Sequence, residues 1–158
     1  MANTTRWVID TAWTAATFTA GDLNSLASGG GALSTAAIAN GTNLDQFMDV
    51  SFVLTVGGTT IVGSYLTVFL LPLNQDGSTY GDGYASSTSV QPTAQYAIGS
   101  VGVKVGVTTG NTVTGIITGA NIPPGDFKLA LGNNLTVALS STASLTLKYR
   151  TYNINLNV

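Results

Sequence analysis

The stretch FMDVSFVLTVGGTTIVGSYLTVFLLPL, residues 47–73, carries the fold. Met48, Val50, Phe52, Leu54 and Val56 alternate with Phe47, Asp49, Ser51, Val53 and Thr55. A period of two belongs to a strand with one fully apolar face. Gly57 and Gly58 permit a turn, and a second apolar run follows over residues 61–71, so the pair reads as a β-hairpin. That second run is apolar at both parities, with Tyr65, Phe69 and Leu71 on one and Leu66, Val68 and Leu70 on the other. Such a strand is covered on both faces, by a second sheet, a loop or a partner.

Further strands follow on the C-terminal side. Residues 95–107 change apolar parity between Ile98 and Val101, which places a bulge near Gly99. Residues 111–118 form the next strand, and Ile122-Pro123-Pro124-Gly125 ends it. Phe127, Leu129 and Leu131 stand before Gly132-Asn133-Asn134, with Leu135, Val137 and Leu139 after it, a second expected hairpin. The last strand begins at Leu145 with Leu147 and Tyr149 on its apolar side and Thr146, Lys148 and Arg150 opposite. From Tyr152 the apolar set moves to the other parity, through Ile154, Leu156 and Val158. A flip of that kind means a bulge, a passage from one sheet to the other, or a tail that adds to a neighbouring subunit.

On the N-terminal side, residues 21–46 read as a loop with one short strand near Leu33 to Ile38. The total is about eight strands and no helix of convincing length. The expected fold is all-β, a two-sheet antiparallel β-sandwich, with a jelly roll as the first choice. Residues 1–20 are expected to be an N-terminal arm, and 21–158 a single sandwich domain. The arm carries Arg6 and both tryptophans, Trp7 and Trp13. Trp and Arg are enriched where partners bind, so these three are candidate contacts. The plainer alternative is that both rings cap the protein's own core.

Composition narrows the function. The chain has 158 residues, enough for one domain with a core. Charged residues are 8%, against roughly 25% in ordinary soluble domains. The net charge of −2, with five basic residues, argues against nucleic acid as a partner. No apolar run reaches the ~20 residues of a membrane helix, and no signal peptide is visible, so neither a membrane nor export is expected. A β surface so poor in charge is a solubility liability unless an assembly covers part of it.

The chain contains no Cys, His or Glu. That removes the thiol nucleophile, the usual general base and the usual zinc ligands. No enzyme activity, metal or cofactor is expected. Residues 74–92 form a long polar loop in which Asn74, Asp76, Ser78 and Asp82 resemble a calcium loop, but Ala85 stands where the closing acidic ligand belongs. Asx-turn chemistry accounts for the same residues without metal. Asp76 and Asp82 are also the only pair to name for glycoside hydrolysis, and turns explain them better. Long loops in compact domains often bind, so Asp76, Tyr80, Asp82 and Tyr84 are candidate partner contacts.

Residues 122–136, from Ile122-Pro123-Pro124-Gly125 through Asn133-Asn134-Leu135-Thr136, with the closing Leu147-Lys148-Tyr149-Arg150-Thr151-Tyr152-Asn153, resemble small virion structural proteins of tailed bacteriophages. So does the Asn43-Leu44-Asp45-Gln46-Phe47 lead into the opening strand, followed by Leu70-Leu71-Pro72-Leu73. The resemblance implies a jelly-roll capsid decoration, or cement, protein. Its partner would be the major capsid protein, and it would sit on the capsid exterior as a homotrimer or homodimer after assembly in the host cytoplasm. The alternative is a carbohydrate- or receptor-binding sandwich of a phage tail or fibre, with Tyr80, Tyr84 and Tyr96 stacking on sugars. Against it, single exposed aromatics are ordinary rim packing.

Overall fold

The computed structural model describes residues 4–9, 12–84, 90–142 and 146–157. In chain order the strands are β1 (Thr4–Ile9), β2 (Thr14–Ala16), β3 (Gly31–Leu33), β4 (Phe47–Thr55) and β5 (Tyr65–Pro72). They continue with β6 (Ala97–Gly102), β7 (Thr112–Asn121), β8 (Phe127–Asn134) and β9 (Thr146–Asn157). Among the described residues helical structure is limited to single turns at Ala20–Leu23 and Ala94–Tyr96. Among the described residues no helix is long and apolar enough to cross a membrane.

The strands form two antiparallel sheets, a β-sandwich. One sheet has the order β1-β9-β4-β7, with β2 also paired to β9, and the other has the order β3-β8-β5-β6. β1 and β2 pair with successive stretches of β9 and share one strand position. Eight positions then fall in the orders 1-8-3-6 and 2-7-4-5, which is the jelly-roll arrangement. The residues expected as an arm are therefore not separate from the sandwich where they are described. They complete the edge of its five-stranded sheet.

The strand order corrects both expected hairpins. β4 and β5 lie in different sheets, and the residues after β8 do not turn back to pair with it. Among the described residues only β5 and β6 are consecutive strands paired within one sheet. Gly57 serves a crossing and not a hairpin turn. Its N–H donates to the Ala138 carbonyl at 2.9 Å, and a Cβ there would stand 2.6 Å from the Leu139 carbonyl oxygen. Two backbones pass too closely for any side chain. At the other supposed turn, Asn133 is buried, accepts the Leu135 N–H and donates to the carbonyls of Leu26 and Val137. It steers the chain away from β8 towards the other sheet.

The alternation within strands holds. Met48, Val50, Phe52 and Leu54 of β4 meet Leu66, Val68 and Leu70 of β5 and Leu129 and Leu131 of β8 in the main core. The bulge near Gly99 is present, since Val68 pairs with Gly99 and Phe69 with Ala97, leaving Ile98 extra. The outer face of β5 is covered by the protein's own loop, and the N-terminal residues are not its cover. Phe69 and Leu71, 3% and 0% exposed, join Leu33 and Ala130 in a second cluster beneath Tyr80, Tyr84 and Tyr96. Tyr65, on the same face, remains 42% exposed.

Asn40 fixes the approach to β4. Its side chain is buried, accepts the Asp45 N–H at 2.8 Å and donates to the carbonyls of Asp45 at 3.0 Å and Pro123 at 2.9 Å. Asn40→Ala strands these backbone groups away from water. We expect a loss of about 2–3 kcal/mol in urea denaturation with an unchanged slope. A change below about 0.5 kcal/mol would show that water replaces the side chain.

Candidate functional site

Strand register assembles a site on the outer face of the five-stranded sheet. Phe47 pairs with Tyr152 and Asp49 with Arg150, so these four point away from the core. Trp7 and Ile9 of β1 join them from the edge. Trp7 packs edge-on against Phe47 at 5.9 Å and Tyr152 at 5.3 Å between ring centroids, while Phe47 and Tyr152 stack at 5.8 Å. These are favoured aromatic geometries. One face of the cluster is open, since Trp7 is 59% and Ile9 56% exposed.

Beside the rings lies one ion pair. Asp49 is 4% exposed. Its Oδ2 accepts Arg150 Nε at 2.9 Å and Nη2 at 2.8 Å, a fork. Its Oδ1 accepts the Tyr152 hydroxyl at 3.1 Å and the Gly119 N–H at 3.0 Å. The Gly119 donor is free because β7 bulges. Met48 pairs with Ala120 but Val50 with Ile117, and Gly119 takes a φ of 70°. Burial works against the Asp49 charge, but the bonds from Gly119, Arg150 and Tyr152 and the charge of Arg150 outweigh it, and the carboxyl titrates below its ordinary value. Burial, then the hydrogen bond to Asp49, pushes the Tyr152 hydroxyl up.

The guanidinium so held lies over the Trp13 ring, 4.9 Å from its centroid. Trp7, Ile9, Asp49, Thr118, Arg150 and Tyr152 line a shallow cavity of about 220 Å³. Val53 and Ile116 carry exposed apolar surface to the far part of the face.

The sequence-derived candidates divide between the two sheets. Trp7 and Trp13 come together around Arg150 and Tyr152, and both lie outside the core cluster. Arg6 lies on β1, with its side chain outside the described residues. Asp76, Tyr80, Asp82 and Tyr84 sit over the four-stranded sheet. Asp76 Oδ1 accepts the amides of Ser78 and Thr79 at 2.9 Å each and Oδ2 the Thr79 hydroxyl at 2.6 Å. Those bonds, the Thr79 hydroxyl foremost, lower its pKa to about 2. Asp82 accepts the Thr93 N–H and hydroxyl, tying the two ends of the loop. Tyr80 packs under Lys128 Nζ at 4.9 Å, and Tyr84 donates to the Gln91 carbonyl. Burial and the nearby Asp82 charge push the Tyr84 hydroxyl up. Tyr80, Tyr84 and Tyr96 spend their rings on Phe69 and Leu71, the rim packing weighed against sugar stacking. Ala85 of the supposed calcium loop lies outside the described residues. Among the described residues no three His, Cys, Asp or Glu side chains gather to hold a metal.

Asp49, Arg150, Tyr152 and Phe47 were not among those candidates. Two signals pointed to them. Asp49 is the one charge on β4, and the parity flip at Tyr152 is neither a bulge nor a change of sheet. β9 stays in one sheet, pairing through 146–152 with β4 and through 152–157 with β1, and its outward residue becomes aromatic because Trp7 and Phe47 cover it.

Fold and face together define the class of molecule: a jelly-roll β-sandwich with an aromatic outer sheet face built around one ion pair. Compared with known proteins, no family model matches the chain and no curated protein shows significant similarity to it.

Proposed function

We propose that the chain is a non-enzymatic virion structural protein that binds and stabilises a tailed-phage capsid lattice, docking through the outer face of the five-stranded sheet. The observation that carries this reading is that face: Trp7, Ile9, Trp13, Val53 and Ile116 are all exposed on or beside a sheet that carries a single ion pair among the described residues. Exposed apolar patches rimmed by polar groups mark interaction surfaces. Trp7 and Trp13 are the anchors, and Arg150, held by Asp49 and backed by Trp13, gives the contact its polar centre. The partner is the major capsid protein, and the protein sits on the capsid exterior as a homotrimer or homodimer.

The test is co-sedimentation with capsids of its own virus assembled without it. Deleting residues 1–15 would also remove β1 and most of β2 from the edge of β9, so substitutions are the cleaner probe. Trp7→Ala with Trp13→Ala is expected to weaken capsid binding at least about 30-fold, as loss of a 2 kcal/mol anchor does, with the fold retained. No co-sedimentation of the wild type, or undiminished binding of the double variant, overturns the reading. A second reading, a carbohydrate- or receptor-binding module of a phage tail or fibre, draws on a different surface, the uncharged groove over the four-stranded sheet.

A further inference from the structure

On the opposite side of the sandwich, a groove of about 260 Å³ crosses the outer face of the four-stranded sheet, and among the described residues every side chain lining it is uncharged. Its floor is a continuous chain of hydrogen bonds. Ser100 Oγ meets Thr67 Oγ1 at 2.9 Å, and Asn134 Nδ2 donates to Thr67 Oγ1 at 3.1 Å and to Gln91 Oε1 at 3.2 Å. Gln91 Nε2 donates to Asn134 Oδ1 at 3.1 Å and to the Asn133 carbonyl at 3.3 Å. Tyr65, which pairs with Asn134 across the strands, stands at one wall with its ring partly open to solvent.

The arrangement is built into the sheet. A Cβ at Gly132 would stand 2.7 Å from Gln91 Oε1 and 2.8 Å from Gln91 Cδ, so only glycine lets that amide lie flat on β8. The residue facing Tyr65 on β6 is Gly102, where a Cβ would meet nothing within 4 Å. One glycine seats the polar floor, and the other leaves the flank of the tyrosine open.

We propose that this groove binds a neutral carbohydrate, with one pyranose ring against Tyr65 and its hydroxyls on the Gln91–Asn134–Thr67–Ser100 chain. The amide N–H groups of the floor are already engaged, so what remains for a ligand is mainly acceptor lone pairs, which suits a donor of hydroxyl groups. A charged ligand would meet no counter-charge here and lose its hydration. A ligand without hydroxyls would cover the spare acceptor lone pairs of the floor and offer them no donor. The volume is below the roughly 300–1,000 Å³ of pockets for drug-sized ligands, so it suits one ring of a longer chain lying across the face. The side chains hold one another in place before binding, which lowers the ordering cost. The groove and the aromatic face belong to different sheets, so this site stands independently of capsid docking and is measured on the protein alone.

The test uses the full chain against an array of neutral gluco-, manno-, galacto- and rhamno-configured oligosaccharides, with oligogalacturonate as the charged comparison. The strongest neutral chain is then titrated by NMR. The expected result is binding by at least one neutral chain, shifting the amide signals of residues 65–67, 97–100 and 132–134, and no binding of oligogalacturonate. Tyr65→Ala is expected to weaken binding about tenfold or more, the loss of one stacking contact. Ala97→Phe, which fills the groove from an exposed position on β6, is expected to abolish it. The proposal is overturned if no neutral chain binds at millimolar concentration, if oligogalacturonate binds as well as the neutral chains, or if both variants bind like the wild type.

Discussion

Phe52→Ala is expected to cost about 3–5 kcal/mol, the range for deleting a buried aromatic ring. Phe52 is 1% exposed and sits on β4 directly opposite Gly115 of β7. The pair is a ring and the hole that receives it. A Cβ built at Gly115 collides with the Phe52 Cζ and lies 2.8 Å from Cε1 and 2.9 Å from Val101 Cγ1. Gly115→Ala therefore overpacks the same spot and is expected to cost about 1–3 kcal/mol. The two changes share one space, so they are not additive. Phe52→Leu shortens the side chain where Gly115→Ala fills it, and the double variant is expected to be less destabilised than the sum of the singles by at least about 0.5 kcal/mol. Urea denaturation of the four proteins measures this. Strict additivity would mean that the ring does not occupy the glycine's space.

Asp49→Ala is the second large effect, about 2–4 kcal/mol. The carboxylate serves four donors: Arg150 Nε and Nη2, the Tyr152 hydroxyl and the Gly119 N–H of the bulge. Breaking a fully buried pair by removing one partner costs about 3–5 kcal/mol. Arg150 keeps 32% of its side chain exposed and can turn to water, so the cost here falls below the top of that range. The sign of the pH dependence follows from the depressed pKa. A carboxyl with a lower pKa folded than unfolded stabilises the fold above its unfolded value of 3.8, and that contribution fades as pH falls through the folded pKa. Asp49→Asn is therefore expected to lose stability at neutral pH and to show a smaller further loss than the wild type between about pH 5 and pH 2. Paired denaturation series at those pH values check it. Equal acid sensitivity in both proteins would assign the acid response to other carboxylates. Because Asp49 also holds Arg150 against Trp13, Asp49→Asn is expected to weaken the proposed capsid docking as well.

Local patterning was enough to read the central strands, but residues 135–139, expected as a strand, form none, and β1 and β2 fall in the stretch expected as an arm. The alternation from Met48 to Leu54, the double apolarity of β5, the bulge beside Gly99 and the stop at Pro123-Pro124 are all legible, because a strand's side-chain period and proline's missing N–H act within a few residues. The turn chemistry of Asp76 was legible for the same reason, since its acceptors and donors are two and three residues apart. The two-sheet architecture followed from the number of strands and their spacing.

What the tertiary structure decided is which strands touch. Glycines read as hairpin turns at 57–58 proved to mark a backbone crossing between sheets, because a close approach from residue 138 or 139 and a tight turn place the same demand on a single position. The same holds for the site. Asp49 and Arg150 are 101 residues apart, and Trp7 and Tyr152 meet only because β1, β9 and β4 are neighbours. Residue order alone determined that this chain is a sandwich of amphipathic strands with little charge. The pairing of its first strand with its last, set by burial across the whole core and by no local signal, made the aromatic face.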